Sequence, residues 1–436
     1  MFGYYFKQGV RSLRRNPFLT ALMVLTLAVG VAASVSTLTI LHMMSSDPIP
    51  QKSSRLFVPL IDNGPTEGYT PGEKPDDIQL SYQDAQNLLK SGQGVHRTAL
   101  YGVAGAVEPP KQGIQPFTMN GLAPTRDFFA MFDVPFLHGQ PWTEADDARG
   151  ADVVVLSRAM SEKLYGDADP VGRRLMLMGF PFTVAGVTDT WRLLPRVYLL
   201  AGGSAYGTGE KFFIPLSSAI RHETQHNGGM SCTGNVDAGW AARLASECTW
   251  LTAWFETASA GDRGELQSWL DNYANDQRKL GRLKRSAPNR LFDVNGWMEY
   301  TGVVGKDSRL QVWLAFGFLM LCLVNTVGLL LAKFSVRASE IGVRRALGAS
   351  RREIFRQFLV ETTVIGLVGG VLGLGFAFGA LALIGMSSKS MATVATMDWE
   401  MLGLTFVISV SAAILAGLLP TWRACQVTPA IQLKSQ

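Results

Sequence analysis

The sequence predicts an α-helical membrane protein with four transmembrane helices and a large α/β extracytoplasmic domain inserted between helices 1 and 2. Composition is the first observation: of 436 residues, 47% are hydrophobic and only 17% are charged, whereas soluble proteins carry about 25% charged residues. The second observation is a set of long apolar stretches, each of which reaches the roughly 20 residues needed to cross a hydrocarbon core. They lie at 18–44, 310–332, 359–386 and 401–420. The third is the distribution of basic residues between these stretches.

The first apolar stretch follows a basic segment with Lys7, Arg11, Arg14 and Arg15, so a secretory signal is the alternative to a transmembrane helix. Its apolar part is longer than the roughly 7–15 residues of a signal h-region, and no clear cleavage motif follows it. We therefore predict an uncleaved first span with a cytoplasmic N-terminus. Residues 1–17 alternate aromatic and basic side chains, a pattern typical of an amphipathic helix on the inner membrane surface.

Basic residues separate the two sides of the membrane. Segments 1–17, 333–356 and 421–436 together hold 13 Lys and Arg residues against two acids, whereas 45–309 hold 26 Lys and Arg against 30 Asp and Glu. The positive-inside rule therefore places both termini in the cytoplasm. The whole-chain net charge of +5 follows from this topology and does not indicate nucleic-acid binding. The remaining predicted segments are an extracytoplasmic domain at 45–309, a cytoplasmic loop at 333–358, a short external loop at 387–400 and a cytoplasmic tail at 421–436.

Alternating strand and helix patterns predict an external domain with two lobes. A membrane-proximal lobe takes residues 45–110 and 230–305, and an inserted lobe takes 111–229. Strands are predicted at 54–61, 95–107, 114–121, 152–156, 173–178, 181–187, 211–216 and 249–256, and helices at 81–91, 124–132, 157–165 and 262–280. Two connections rich in Pro and Gly, at 62–77 and 201–211, have the length of functional or mobile loops.

The four cysteines fall in different compartments. Cys322 lies in the second span and Cys425 in the cytoplasmic tail, whereas Cys232 and Cys248 both lie in the external domain. A disulfide between Cys232 and Cys248 fits an oxidising compartment, and two independent thiols are the alternative. The five His residues are scattered, so no metal site is expected.

Sequence motifs of common enzymes are absent. The 436 residues contain no G-x-x-x-x-G-K-[ST] phosphate loop, no G-x-S-x-G, no C-x-x-C and no H-E-x-x-H, the patterns that carry nucleotide, hydrolase, redox and zinc chemistry. We therefore predict no catalytic, cofactor-binding or metal-binding residues in this chain.

The basic loop between the second and third spans has more order than a topology signal requires. Gly348 predicts the end of a short helix, and Ser350 with Glu353 three residues later predicts a capping box that starts another. Charged and apolar residues alternate here at helical spacing, which suits docking of a soluble partner. The predicted anchors are Leu347, Ile354 and Phe355, with Arg344, Arg345 and Arg351 fixing orientation. The alternative is that these arginines serve only topology and lipid headgroups.

The third span contains six glycines that form three G-x-x-x-G pairs. They are Gly366, Gly369, Gly370, Gly373, Gly375 and Gly379. Such small residues let helices approach closely, either within the chain or against a partner, although glycine is also generally common in membrane helices. Glu361 lies at the mouth of the same span, where it either has a specific role or simply reaches water or a nearby arginine.

These segments resemble the FtsX/MacB-type permeases of ABC transporters, the type VII fold. The resemblance rests on EIGVRRALGASRREIFRQFLVE at 340–361, SLRRNPFLTALMVLTLAVGVA near the N-terminus, YGDADPVGRRL with FTVAGV in the external domain, and LLPTWRACQVTPAIQL in the tail. It implies porter and sabre subdomains outside and a bacterial inner-membrane location. It also implies a dimer of permeases, identical or paralogous. ATP and Mg would be bound by a separate ATPase subunit, and a periplasmic adaptor is a further candidate partner.

By this resemblance, the chain is a non-catalytic permease subunit that transmits ATPase motion to its external domain, a process called mechanotransmission, for export or release of a substrate. The alternatives are an ATPase-coupled regulator of an external enzyme such as a cell-wall hydrolase, or a lipoprotein-release permease. A plain membrane-anchored binding domain is less consistent with the sequence, because an anchor needs neither four spans nor an ordered basic loop.

Overall fold

The computed structural model describes most of the chain up to Ser387 and scattered positions beyond. The described residues are 16–70, 73, 75, 78–110, 113–232, 236–286, 289–303, 306–337, 343–344, 347–387, 403–404, 407–408, 410–412, 414–415, 417–418 and 421–422. The chain divides into two compact units. Residues 1–45 and 304–436 form the membrane unit, and residues 46–303 form the external domain.

Helices and strands follow the predicted pattern along the described residues. The helices are α1 (Pro17–Ser45), α2 (Tyr82–Lys90), α3 (Asp127–Met131), α4 (Glu144–Arg149), α5 (Arg158–Tyr165), α6 (Leu216–Arg221), α7 (Trp240–Ala245), α8 (Arg263–Lys279), α9 (Val294–Thr301), α10 (Lys306–Val336) and α11 (Arg351–Ser387). The strands are β1 (Leu56–Leu60), β2 (Leu80–Ser81), β3 (His96–Glu108), β4 (Phe117–Pro124), β5 (Phe136–Gly139), β6 (Val153–Ser157), β7 (Arg174–Leu177), β8 (Phe180–Thr188), β9 (Phe212–Phe213), β10 (Thr249–Glu256) and β11 (Arg290–Asp293).

Within the described residues, α1, α10 and α11 are the helices long and apolar enough to cross a membrane. Both α10 and α11 pack against α1. One apolar cluster joins all three helices and contains Met23, Val24, Leu27, Leu330, Phe334, Ile354, Phe358 and Ile365. Further along, the Ser34 hydroxyl donates to the Ala315 carbonyl over 3.0 Å, which ties α1 to α10 by a polar contact inside an apolar environment.

The third span begins earlier than its apolar stretch suggests. Helix α11 runs without interruption from Arg351 to Ser387, so the predicted second short helix of the basic loop is the first turns of the span itself. The physical reason is that Ser350 caps the helix, and nothing between Arg351 and residue 359 breaks it. Lys333, which was assigned to the loop, lies in the last turn of α10.

Several predicted segments lie outside the described residues. They include most of the N-terminal amphipathic helix, the external loop at 387–400 beyond Ser387, and the tail after Trp422 with Cys425. Most of the predicted fourth span at 401–420 also falls in this category, although the positions described between 403 and 422 are helical. A fourth transmembrane helix therefore stays a prediction.

The external domain is built on one mixed sheet with the strand order β11-β1-β10-β3-β4-β9-β6-β8-β5. In addition, β2 pairs with β10, and β7 pairs with β3 and β8. All eight residues of β10 are buried, because cores lie on both faces of the sheet. Ala253 and Phe255 belong to the core that includes Leu266 and Leu270 of α8. Trp254 belongs to the opposite core, which is rich in aromatic side chains.

The two predicted lobes share this sheet. Strands β1, β2, β3, β10 and β11 come from 45–110 and 230–305, and strands β4 to β9 come from 111–229. Antiparallel pairing of β3 with β4, from Leu100 opposite Pro124 to Val107 opposite Phe117, joins the two sets. The sequence assigns these strands to two lobes, but in the structure their backbone hydrogen bonds form one continuous sheet.

The first and last segments of the external domain lie side by side. Strand β1 pairs antiparallel with β11, and the Val294 N–H donates to the Ser53 carbonyl over 3.4 Å. The Asn295 side-chain amide donates to an Asp47 carboxylate oxygen over 3.1 Å. Both ends of the domain are thereby held at one edge of the sheet.

Candidate functional site

The basic turn, defined here as residues 343–356, connects α10 to α11. The Leu347 N–H donates to the Val343 carbonyl and the Ala349 N–H to the Arg344 carbonyl, each over 3.0 Å. Gly348 between them has φ of 101°, a value that favours glycine because a Cβ there clashes with the backbone. The described positions Val343 and Arg344 are helical, and the positive φ of Gly348 suits the helix-ending position that the sequence predicts for it.

The predicted capping box is present at the start of α11. The Ser350 N–H and hydroxyl both donate to Glu353 Oε2 over 3.0 Å. In return, the Glu353 N–H donates to Ser350 Oγ over 3.3 Å. These reciprocal bonds satisfy donors at the helix N-terminus and fix the direction in which the chain leaves the turn.

The predicted anchors differ in how much of their surface they present. Leu347 is 83% exposed at the tip of the turn, whereas Ile354 is only 4% exposed. Ile354 lies in the apolar cluster with α1, and the partly buried Phe355 packs against the same cluster. The Ile354 side chain thus already contributes to the helix bundle of this chain, and its role as an anchor for a partner stays a prediction.

The arginines predicted to fix the orientation of a partner also differ in their contacts and exposure. Arg344 Nη1 donates to Gln357 Oε1 over 3.2 Å, so part of its role is to tie the turn to α11. Arg351 is exposed, as are Arg352 and Arg356 nearby, and Arg345 lies outside the described residues. The basic turn thus presents the exposed apolar side chains of Leu347 and Val343 beside a group of exposed arginines.

A charged cluster lies beside the turn, where α10 meets α11. Lys333 Nζ is 2.6 Å from Glu361 Oε1, and both side chains are fully buried. Arg337 Nη1 is 3.5 Å from Glu361 Oε2. Of the two alternatives left open for Glu361, pairing with basic residues is the observed one. Lys333 is a partner that the sequence did not predict, although Lys333 and Arg337 at i and i+4 share one helix face.

The glycines of α11 fall on two different faces. Gly366, Gly369 and Gly373 are buried, and a Cβ added at Gly369 would lie 3.2 Å from Leu27 Cβ in α1. Gly375 and Gly379 are exposed, and a Cβ added at either would meet no described residue within 4 Å. Gly370 is half-buried. The buried glycines therefore lie on the face of α11 that approaches α1. The exposed pair, Gly375 and Gly379, lies on a different face of α11.

The external domain contains the disulfide and a buried acidic group. Cys232 pairs with Cys248, next to a backbone bridge between Ser231 and Thr249. Burial raises the pKa of the Asp147 carboxyl to about 6. Among the described residues, no group of three or more His, Cys, Asp or Glu side chains is arranged to hold a metal ion.

Asp147 receives two short hydrogen bonds. The Arg126 N–H donates to Asp147 Oδ2 over 2.6 Å, and Trp142 Nε1 donates to Asp147 Oδ1 over 2.7 Å. The Asp147 carboxyl thereby links the start of α3 to the segment before α4. This role is structural, and we assign it no chemistry.

Chemically, the basic turn offers exposed positive charge and the exposed apolar side chains of Leu347 and Val343. The charged cluster adds a buried ion pair. Exposed charges and apolar anchors are the elements from which protein interfaces are generally built.

Comparison with known proteins covers both units. The family profile for the MacB-like periplasmic core domain matches residues 20–253, and that for the FtsX-like permease C-terminal domain matches residues 312–429. A macrolide export ATP-binding/permease protein MacB from Rhodospirillum rubrum is 28% identical over 390 residues, covering 87% of this chain and 53% of the relative. A pyoverdine export ATP-binding/permease protein PvdT from Pseudomonas fluorescens is 24% identical over 440 residues, covering 97% of this chain and 58% of the relative.

The chain thus spans about half the length of the curated relatives that it matches. Among solved structures, the periplasmic region of MacB from Actinobacillus actinomycetemcomitans is 16% identical, with a TM-score of 0.36. That match covers 57% of this chain and 92% of the other.

Proposed function

The chain belongs to the family of MacB-like and FtsX-like ABC transporter permeases, and from this premise we propose that it couples a partner ATPase to movement of its external domain. In this proposal the basic turn receives the ATPase on the cytoplasmic side. The helices α10 and α11 carry the displacement across the membrane, and the external domain expels or releases a substrate.

The exposure of Leu347 is the observation that supports this proposal most directly. Leu347 is 83% exposed at the tip of an ordered turn, so a partner that covered it would gain the hydrophobic free energy of burying that side chain. The tip is also rigidly connected to α11, because Gly348 ends one helix and the Ser350 capping box starts the next. The exposed arginines beside it belong to a residue type that is enriched at interface hot spots.

We propose a separate ATP-binding subunit as the partner, which would bind ATP and Mg itself. The relatives MacB and PvdT carry names that combine ATP-binding and permease parts, and the present chain aligns with about half of each. A second permease chain, identical or paralogous, and a periplasmic adaptor complete the proposed assembly. The proposed location is the bacterial inner membrane with both termini in the cytoplasm, as the distribution of Lys and Arg indicates.

The names of the relatives suggest the direction of transport. Macrolide export and pyoverdine export are attributed to MacB and PvdT respectively. We propose export or release on the outer side of the membrane for this chain as well.

The test is co-purification of the ATP-binding subunit with full-length variants from membranes. Leu347→Asp places a charge at the tip and is expected to abolish retention of the ATPase. Gly348→Val is expected to do the same, because a β-branched residue strongly disfavours positive φ. The matched control is Leu280→Asp, since Leu280 is a 72% exposed leucine of the external domain.

Normal membrane insertion with loss of the ATPase in Leu347→Asp, and retention in Leu280→Asp, supports the docking assignment. If Leu347→Asp and Gly348→Val both retain the ATPase and transport, the arginines serve topology and lipid headgroups, and the basic turn is not the docking element.

A further inference from the structure

The charged cluster of Lys333, Arg337 and Glu361 does not form part of a docking surface, because the Lys333–Glu361 ion pair is buried and cannot contact a partner directly. Both Lys333 and Glu361 have 0% side-chain exposure, and Arg337 is 12% exposed. A lysine that served only membrane topology would extend its amine toward the headgroups, as long basic side chains at helix ends commonly do. Here the amine of Lys333 instead points into the bundle, toward a carboxylate on another helix.

We propose that this cluster is a clamp that makes the cytoplasmic ends of α10 and α11 move as one lever. The proposal rests on the function proposed above, and it identifies Glu361 and Lys333 as positioning residues for coupling. With the clamp closed, a displacement of the basic turn reaches both helices together. With the clamp open, the turn moves while one helix lags behind the other.

Contacts on both sides of the cluster place it in the path from the turn to the bundle. Arg344 of the turn is bonded to Gln357 of α11, one helical turn before Glu361. The rings of Phe334 and Phe358 lie 4.3 Å apart, which brings α10 and α11 together next to the charges. The turn, the ring pair and the ion pair therefore follow one another along the same two helices.

The ion pair contributes something that the surrounding apolar contacts do not. Apolar side chains in a membrane bundle can slide or rotate against one another with little directional preference, because lipid is as apolar as they are. The ion pair holds opposite charges 2.6 Å apart inside the bundle, and the attraction between them falls as that distance grows. Moving α10 against α11 would separate buried opposite charges, so the cluster fixes the register of the two helices.

The experiment compares variants of full-length protein in nanodiscs with the co-purifying ATP-binding subunit. Glu361→Gln removes the anion with little change of shape. The charge-exchanged variant combines Lys333→Glu with Glu361→Lys and carries Arg337→Gln as well, because Arg337 lies 3.5 Å from Glu361 and would otherwise repel the new lysine. Ser335→Ala is the matched control, because Ser335 is exposed on α10 and bonds only within its helix in the contact observed, to the Leu331 carbonyl. Hydrogen exchange is measured with and without ATP, together with the amount of ATPase retained.

Glu361→Gln is expected to retain the ATPase within about twofold but to lose the ATP-dependent change of exchange in residues 46–303. Peptides 330–337 and 355–363 are expected to exchange about tenfold faster, since removal of one partner leaves a buried charge uncompensated. The charge-exchanged variant is expected to restore the ATP-dependent change in residues 46–303 and the slow hydrogen exchange of the two peptides. Ser335→Ala is expected to match the wild type.

An unchanged ATP response in Glu361→Gln would overturn the clamp. If Glu361→Gln fails to insert into the membrane, the charge-exchanged variant tests the clamp instead. If that variant inserts but its ATP response is not restored, the clamp is also overturned. If the wild type retains no ATPase, the proposed function fails, and the exchange of the two peptides alone judges the clamp. Unchanged hydrogen exchange of these peptides in Glu361→Gln then refutes the clamp. Faster hydrogen exchange in Glu361→Gln that returns to the wild-type rate in the charge-exchanged variant supports the clamp.

Discussion

Substitution of Gly373 is expected to destabilise the helix bundle, whereas the same substitution of Gly379 is expected to leave it intact. A Cβ at Gly373 would lie 3.0 Å from the Ala28 carbonyl oxygen and 3.1 Å from Val31 Cβ in α1. Among the residues that the structure describes, none lies within 4 Å of a Cβ added at Gly379. Both glycines lie in the same helix, so the helix-propensity gain of replacing glycine, about 1 kcal/mol, applies equally to both.

The magnitude follows from the space around Gly373. Ala28 and Val31 are 0% and 1% exposed, so neither can move aside without disturbing its own neighbours. A leucine at 373 would have to displace α1, and overpacking of this kind costs about 1–3 kcal/mol. At about 1.4 kcal/mol per factor of ten, a difference of about 2 kcal/mol changes the ratio of folded to unfolded protein about thirtyfold.

The assay is thermal denaturation of full-length Gly373→Leu and Gly379→Leu in the same detergent, followed by size-exclusion chromatography of the surviving protein. We expect a clearly lower Tm for Gly373→Leu and an equal or slightly higher Tm for Gly379→Leu. Equal destabilisation by the two variants would refute the assignment of faces. An unchanged Tm with loss of dimer in Gly379→Leu would instead assign the outer glycines to contact with a second permease.

Three further predictions concern the external domain and the topology. Because burial raises the pKa of Asp147 to about 6, its charged form destabilises the folded domain, and that penalty is relieved as the pH falls through 6. Chemical denaturation should therefore show a gain of about 1 kcal/mol from pH 7 to pH 5 in the wild type relative to Asp147→Asn, and identical pH dependence would contradict it. Alkylation of freshly purified, unreduced protein should leave Cys232 and Cys248 unlabelled, and recovery of both as free thiols would exclude the disulfide. An impermeant maleimide added to intact cells should label a single cysteine at Glu67 but miss one at Leu347, and the reverse pattern would overturn the topology.

Much of the external domain could be predicted from local sequence patterns. Strand β10 lies where it was expected, at Thr249–Glu256, because alternating aromatic and β-branched residues are bounded by polar segments. Each strand and helix predicted for the external domain has a counterpart in the structure. The elements that were missed, such as β5 and β11, have only four residues each, so they are too short for a period to show. The continuity of the sheet depends on pairing between distant strands, which no local pattern reveals.

The functional region was less predictable, because residues of one type serve different environments there. Leu347 and Ile354 have the same character in the sequence, but only the position of α1 decides that Ile354 is buried. The pairing of Glu361 with Lys333 required knowledge of how α10 and α11 approach each other. The division of the glycines was accessible: at about 100° per residue, Gly379 lies far around the helix from Gly373. The spacing of G-x-x-x-G pairs alone concealed this difference.

Because β1 and β11 are neighbours in the sheet, the two chain ends of the external domain lie next to each other. Asp47 bonds to Asn295, and Ser53 bonds to Val294, so the chain leaves the domain close to where it enters. A domain whose ends meet can be inserted, exchanged or excised without stretching its host, as circularly permuted and inserted domains commonly are. Residues 46–303 are therefore a natural unit for expression without the spans. Transplanting a related domain between the same two helices would exchange the external surface while leaving the membrane helices unaltered.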